Sequence, residues 1–382
     1  MRVYRDASVF AMNTAILFLA LNILSIPVAR LQARQATLRH RDPVDLQAVY
    51  PGLSLTEIEN IRLERDRTNR WEYEAFTEFR QEPVAGRYFN VDIEGFRQGA
   101  GRQPWPPSPG TCSVLFFGGS TAYGDRLPDW ETIPAALETS LSPARGCRTW
   151  SVYNFGRPGY YSTQERILFE QLLESGVTPK IAVFLDGLNE FFYPAPPGDG
   201  RPWRAGQTDN LSRLVREHNI AGSRYRFFQL FVGLPLIRVI RSALPGETSP
   251  HIAPTGGTCT ASRTLERWRR NRRLTEGVAA RFGVRLLFVW QPMPAYHDVA
   301  GDNGGGKLTA RLECAKQGYE LLAESRPGGA SANFLWLADV QRARTKKSYL
   351  DDVHYTAAFS REIAAAIAGA LVPPESSAGA GR

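Results

Sequence analysis

Asp351-Asp352-Val353-His354, near the end of the chain, sets a carboxylate three residues before a histidine, and Gly118-Gly119-Ser120-Thr121 lies far upstream behind an apolar run. An imidazole that is to draw a proton from a hydroxyl needs an acid on its other ring nitrogen, and one short turn can supply both groups. The two stretches therefore read as a split Ser/His/Asp site: Ser120 as nucleophile, His354 as base, Asp351 as the group that orients it. Asp352 is an alternative partner, and Asp339, which ends another apolar stretch, a further one. Of the five histidines only His354 has an acid three residues before it. His40, His218, His251 and His297 read as ordinary surface residues.

Two further blocks offer hydrogen-bond donors. Asn154-Phe155-Gly156-Arg157-Pro158-Gly159 and Asp186-Gly187-Leu188-Asn189-Glu190 each end an apolar run. The backbone N–H groups of Ser120 and Gly156, with the side-chain amide of Asn189, would surround the oxyanion of an acyl-transfer intermediate, where one donor is typically worth about 3 kcal/mol. Taken singly, each block has a plainer meaning, since small residues after a strand make turns or phosphate loops and Asn is a common turn former.

The elements that must position these residues follow a repeated strand, turn, helix pattern. Apolar strands are expected over 114–117, 152–154, 181–185, 284–290 and 334–337. They alternate with helices over 134–141, 162–176, 262–282, 308–324 and 356–371. Pro134 suits a first helical turn, and Ser162-Thr163-Gln164-Glu165 has the form of a capping box. This alternation implies an α/β fold with a parallel sheet covered on both faces and a site at the carboxyl ends of its strands, where all the candidate residues fall. Residues 191–260 interrupt the rhythm. Within them 224–244, apolar and flanked by arginines, would lie in a membrane interface or cover the sheet.

Ahead of this domain, Ala7 to Ala29 carries no charge, and 9–29 reads as a membrane-spanning helix after a short tail over 1–8. A cleaved signal peptide is the rival, but the apolar run is long and the small-residue cleavage pattern poor. Arg30, Arg34, Arg39 and Arg41 after the anchor outnumber Arg2 and Arg5 before it, which the positive-inside rule reads as a cytoplasmic domain. The cysteines point the other way. Cys112 and Cys147 each precede a strand, so parallel neighbours would bring both thiols to one sheet edge within reach of a bridge, as in an oxidising compartment; four unpaired thiols are the alternative. An extracytoplasmic domain is the preferred expectation. No Cys-x-x-Cys occurs, so a structural zinc site is not expected.

Residues 30–110 read as a helical extension and linker. Ser54-Leu55-Thr56-Glu57 should cap a helix carrying Ile58, Ile61, Tyr73, Phe76 and Phe79 in two pieces, with a short strand over 88–91 and a proline-rich linker over 103–110. The catalytic domain is expected over 111–372, and 373–382 is a small polar tail. The 382 residues, 43% hydrophobic and 22% charged, suffice for one substantial core plus extensions. A net charge of +8 is spread through every segment rather than gathered. The arginines around Trp268 read as a solvated helix face, so no nucleic-acid partner is expected. Without a Gly-x4-Gly-Lys-Ser/Thr loop, nucleotide hydrolysis has no support.

In order and spacing, the serine turn, the Gly156 and Asn189 blocks and the Asp351-x-x-His354 turn resemble the SGNH, or GDSL-type, hydrolase superfamily over 112–371, the insert excepted. The resemblance implies a flavodoxin-like three-layer α/β/α sandwich with Ser120 as nucleophile, His354 as base, Asp351 as its orienter, and Gly156 and Asn189 as oxyanion donors. It implies no metal or organic cofactor. Two positions depart from the family pattern: Gly119 stands where an Asp usually precedes the serine, and Glu190 follows Asn189 where an Asp is usual. An α/β-hydrolase is disfavoured, because Ser120 follows the first strand of the pattern and the acid and histidine share one tetrapeptide. The expected activity is that of a membrane-anchored serine esterase acting on an acyl ester or acylated carbohydrate. The alternatives are an O-acyltransferase that passes the acyl group to an envelope sugar, and a non-catalytic scaffold or carbohydrate-binding protein.

Overall fold

The computed structural model of the protein describes residues 2–39, 50–108, 110–141, 143, 147, 149–192, 234–243, 260–297, 310–325, 332–342 and 344–371. Two compact units divide it, one of residues 1–44 and 206–256, the other of 45–205 and 257–382. The smaller holds α1 (Arg2–Arg39) and α7 (Pro235–Ala243). The apolar stretch of α1, Tyr4–Ala29, is 26 residues long, about 39 Å of helix, which is enough to cross a hydrocarbon core. The helix runs through Pro27 and well beyond the expected 9–29. Asn22, its buried polar residue, donates to Phe18 O (2.9 Å) and accepts the Leu236 N–H (3.2 Å) at the start of α7. The described part of the 224–244 stretch thus packs on α1. The expected tail over 373–382 and most of the insert lie outside the described residues, whereas 2–8, expected as a tail, belong to α1.

In the larger unit α2 (Leu55–Thr68) begins as expected, with Ser54 Oγ accepting the Glu57 N–H and the Glu57 carboxylate accepting the Ser54 N–H. It does not continue to Phe79. β1 (Trp71–Glu74) and β2 (Glu78–Gln81) form an antiparallel hairpin instead. Trp71, Tyr73 and Phe79 fit the two-residue period of strands, and the Phe79 ring packs edge-on against Trp71 and Tyr160. The expected strand at 88–91 is shorter: β3 (Val84–Ala85) pairs with β4 (Asn90–Val91). Nor is 103–108 a free linker. The Gln103 amide bonds Val152 O and Glu138, and Trp105 packs on Phe96, Tyr153 and Phe155.

β5 (Cys112–Gly118), β6 (Trp150–Asn154), β7 (Ile181–Asp186), β8 (Arg285–Trp290) and β9 (Phe334–Trp336) form one parallel sheet in the order β6-β5-β7-β8-β9. That order is flavodoxin-like, with its topological switch point between β5 and β7. Alternate residues face opposite ways. Val114, Phe116, Val183 and Leu287 meet α4 (Ile133–Ser140) and α10 (Ala357–Leu371) through Leu137 and Ile363. Leu115, Phe117, Phe184 and Phe288 meet α5 (Ser162–Glu174) and α8 (Ala261–Phe282) through Phe169 and Ala279. Phe117, Phe184 and Phe288 stack in a row across three strands. The fold is a three-layer α/β/α sandwich, as expected.

Two further short helices, α3 (Ser120–Tyr123) and α6 (Leu188–Phe192), follow strands β5 and β7, and α9 (Ala310–Ser325) packs beside α6 and α8. The capping box expected at Ser162 is not formed. Tyr161 is the cap of α5, Glu165 is turned into the core, and the Ser162 N–H donates to Glu190 (2.6 Å). A disulfide joins Cys112 to Cys147 across a separation of 35 residues, a closure worth about 4 kcal/mol in the chain-entropy account. Cys314 is also disulfide-bonded, and Cys259 lies outside the described residues.

Candidate active site

The sheet delivers Ser120 and Asn189 to the two sides of the switch point, at the ends of β5 and β7. Residues 351–354 enter the site from the loop before α10. His354 Nε2 lies 2.9 Å from Ser120 Oγ, and His354 Nδ1 lies 2.8 and 3.0 Å from the two Asp351 oxygens. The tetrapeptide braces itself: Asp351 Oδ1 also accepts the backbone N–H groups of Val353 (3.0 Å) and His354 (2.9 Å). Burial opposes the Asp351 charge. The hydrogen bond from the His354 ring, its positive charge, that of Arg126 and the His354 N–H outweigh burial and hold Asp351 well below the usual carboxylate range. Asp352 is exposed, and Asp339 belongs to a different pair.

Gly119 has a steric reason. A Cβ there would overlap the Asn189 amide nitrogen, so a larger residue at this position requires Asn189 to shift. Asn189 Nδ2 donates to Tyr160 O (2.8 Å), which leaves its second N–H beside the serine turn. Gly156 is different. Its N–H donates to Asn154 Oδ1 (3.0 Å), so it is spent within its own loop and is not held ready for an oxyanion. What fixes Gly156 as glycine is packing, because a Cβ would press on the backbone of Ala122 and Tyr123 behind Ser120.

Long-range arginines surround the serine turn, and none stood out in the sequence. Buried Arg97 pairs with Asp129 (2.8 Å) and donates to the carbonyls of Tyr123, Gly124 and Leu127. Arg65 grips both oxygens of Asp125 (2.9 and 2.8 Å). Arg126, at φ +70, reaches Asp351 Oδ2 (2.9 Å). Arg157 ties the loop after β6 to Glu74 and Phe79 O of the hairpin. Nothing in composition or spacing marks these residues.

Under Asn189, Glu190 does the steadying that a shorter acid would do. It accepts the Ser162 N–H and pairs with Arg267 (3.2 Å), whose guanidinium lies over the Tyr161 ring. Beside it Asp186 accepts from Trp268 Nε1 (2.8 Å). Burial, with the Glu190 charge, pushes Asp186 up to about 7 against the hydrogen bonds of Trp268 and Glu165. Burial and the neighbouring Asp186 push Glu165 well above its usual range. His297 is no isolated surface histidine: it meets Asp339 (2.7 Å), which also accepts from Trp336 Nε1 (2.8 Å). Among the described residues no group of acidic, histidine or cysteine side chains is placed to hold a metal ion.

No family model and no curated protein matches this sequence. Solved structures do. They include a member of the lipolytic protein G-D-S-L family from Veillonella parvula, at 10% identity and a TM-score of 0.35 over 70% of this chain and 100% of that one. The acetylxylan esterase Axe2 from Geobacillus stearothermophilus matches at 12% identity and a TM-score of 0.35, over 69% of this chain and 96% of that one. The acetyl xylan esterase AlAXEase matches at 12% identity and a TM-score of 0.36, over 68% of this chain and 100% of that one. The likeness is one of fold.

Proposed function

We propose that the protein is a membrane-anchored serine esterase of the SGNH type. The observation that carries this reading is the unbroken hydrogen-bonded series from Asp351 through His354 to Ser120. In the proposed reaction Ser120 Oγ attacks the acyl carbon while His354 Nε2 takes its proton. Asp351 holds the resulting imidazolium. The carbonyl oxygen, now an oxyanion, accepts from the Ser120 N–H and the second Asn189 amide N–H. Collapse breaks the ester bond, and the leaving alkoxide takes the proton from Nε2. Water then gives a proton to Nε2 as it attacks the acyl-enzyme, and the acid departs with Ser120 restored.

Two observations support the setting. The Tyr4–Ala29 helix is long and apolar enough for an anchor, and the Cys112–Cys147 bridge suits an oxidising, extracytoplasmic compartment. The test is hydrolysis of a chromogenic acetyl ester by the purified chain. Turnover that disappears in Ser120→Ala, with folding intact, supports the esterase; turnover that survives the substitution rejects it.

A further inference from the structure

The imidazole of His354 faces a second carboxylate that the mechanism above leaves unused. Asp125 Oδ2 lies 3.8 Å from Nε2, the nitrogen that holds Ser120, and the residue is buried. That separation is too long for a hydrogen bond, so Asp125 does not compete for the serine proton, yet it is short enough for charge to act. The position is built. Arg65 holds both oxygens, the Asp125 N–H donates to Ser120 O (3.0 Å), and Arg97 fastens the carbonyls on either side. The Tyr50 hydroxyl donates to Arg126 O (3.1 Å).

Two left-handed residues, Gly124 and Arg126, shape this loop so that Asp125 turns to Nε2 while Arg126 turns to Asp351. The imidazole thus sits between two carboxylates, each backed by an arginine. The charged and titratable groups around Asp125 and Asp351 include Arg65, Arg126, Arg62, Tyr50, Tyr123 and His354 itself. Burial opposes the Asp125 charge, but the Arg65 hydrogen bonds and the charges of His354, Arg65 and Arg126 hold it below the usual carboxylate range. It is therefore an anion wherever the enzyme would work.

We infer that Asp125 is a positioning residue for the Ser120 chemistry: it attracts the proton that His354 gains from Ser120 and keeps the imidazolium turned to the serine, while Arg65 sets how hard it pulls. The inference rests on the serine-nucleophile reading. It predicts opposite effects of two substitutions on one side chain's behaviour. Asp125→Asn removes the pull; Arg65→Gln removes the shield from it.

The experiment is the rate of fluorophosphonate labelling of the intact chain as a function of pH, with thermal melts run alongside. Asp125→Asn should slow labelling about tenfold on the plateau and move the acid limb about one unit to lower pH. Arg65→Gln should move the limb to higher pH, and Asp125→Glu should restore the parent profile. Lower rates with the limb unmoved in every folded variant would mean a merely structural role and overturn the inference. Should Asp125→Asn fail to fold, the direction of the Arg65→Gln shift decides alone. A parent protein that takes no label at all rejects the nucleophile reading instead, a result distinct from an unmoved limb.

Discussion

The two halves of the candidate site are held in opposite ways. The acid and base share one tetrapeptide, in which Asp351 bonds both the His354 ring and the backbone N–H groups of the same turn. The serine turn depends on remote residues: Arg65 reaches Asp125 across 60 positions, Arg97 reaches Asp129 across 32, and Arg157 reaches Glu74 across 83. A turn braced largely by its own bonds, with Arg126 added on Asp351, tolerates more change around it than a turn tied down from outside, which transmits each loss to its nucleophile. The residues over 50–108 are therefore part of the machinery of the site rather than a spacer.

The largest effect expected from breaking the local half is on catalysis. Asp351→Ala should lower kcat for an acetyl ester by about 10⁴-fold, while Asp352→Ala, an exposed side chain, should stay within a few-fold of the parent; the reverse order would show that the wrong acid has been paired with His354. The braced half should fail first in stability. Arg97→Met leaves Asp129 buried and unpaired, and chemical denaturation should report a loss of about 3–5 kcal/mol. A loss confined to a few tenths would mean that the brace is dispensable.

Asn189→Ala removes a proposed oxyanion donor and should cost about 10²–10³ in kcat with little change in KM. A change in KM alone would place Asn189 in binding. The smallest effect concerns pH. Asp186 and Glu165 have folded values raised above their unfolded ones, so the folded chain holds more protons between about pH 4 and 7, and stability falls as pH rises through that window. Asp186→Asn should flatten this slope in melts across the window. An unchanged slope would show that Asp186 does not titrate in this window.

The same contrast explains what could be read in the sequence. The five strands were visible because each is a short apolar run bounded by turn residues, and the Asp351-x-x-His354 turn because its bonds span three positions. The hairpin at 71–81 reads as helix in the sequence because the charged residues of α2 run close up to it, and the strand period shows only once the two strands pair and Phe79 packs on Tyr160. Ser162-Thr163-Gln164-Glu165 had the form of a cap, but tertiary contacts drew Glu165 inward and gave the Ser162 N–H to Glu190. Gly156 looked like a donor because it follows a strand, and its local bond to Asn154 is invisible until the loop is folded. The arginine braces have no local signature at all.

Every step of the proposed reaction runs through Ser120 as the activated nucleophile. Mass-spectrometric mapping of a fluorophosphonate adduct tests this most directly. The adduct should fall on the peptide bearing Ser120, vanish in Ser120→Ala, and form far more slowly in His354→Ala. An adduct on another serine, or equal labelling of the His354→Ala protein, would contradict it.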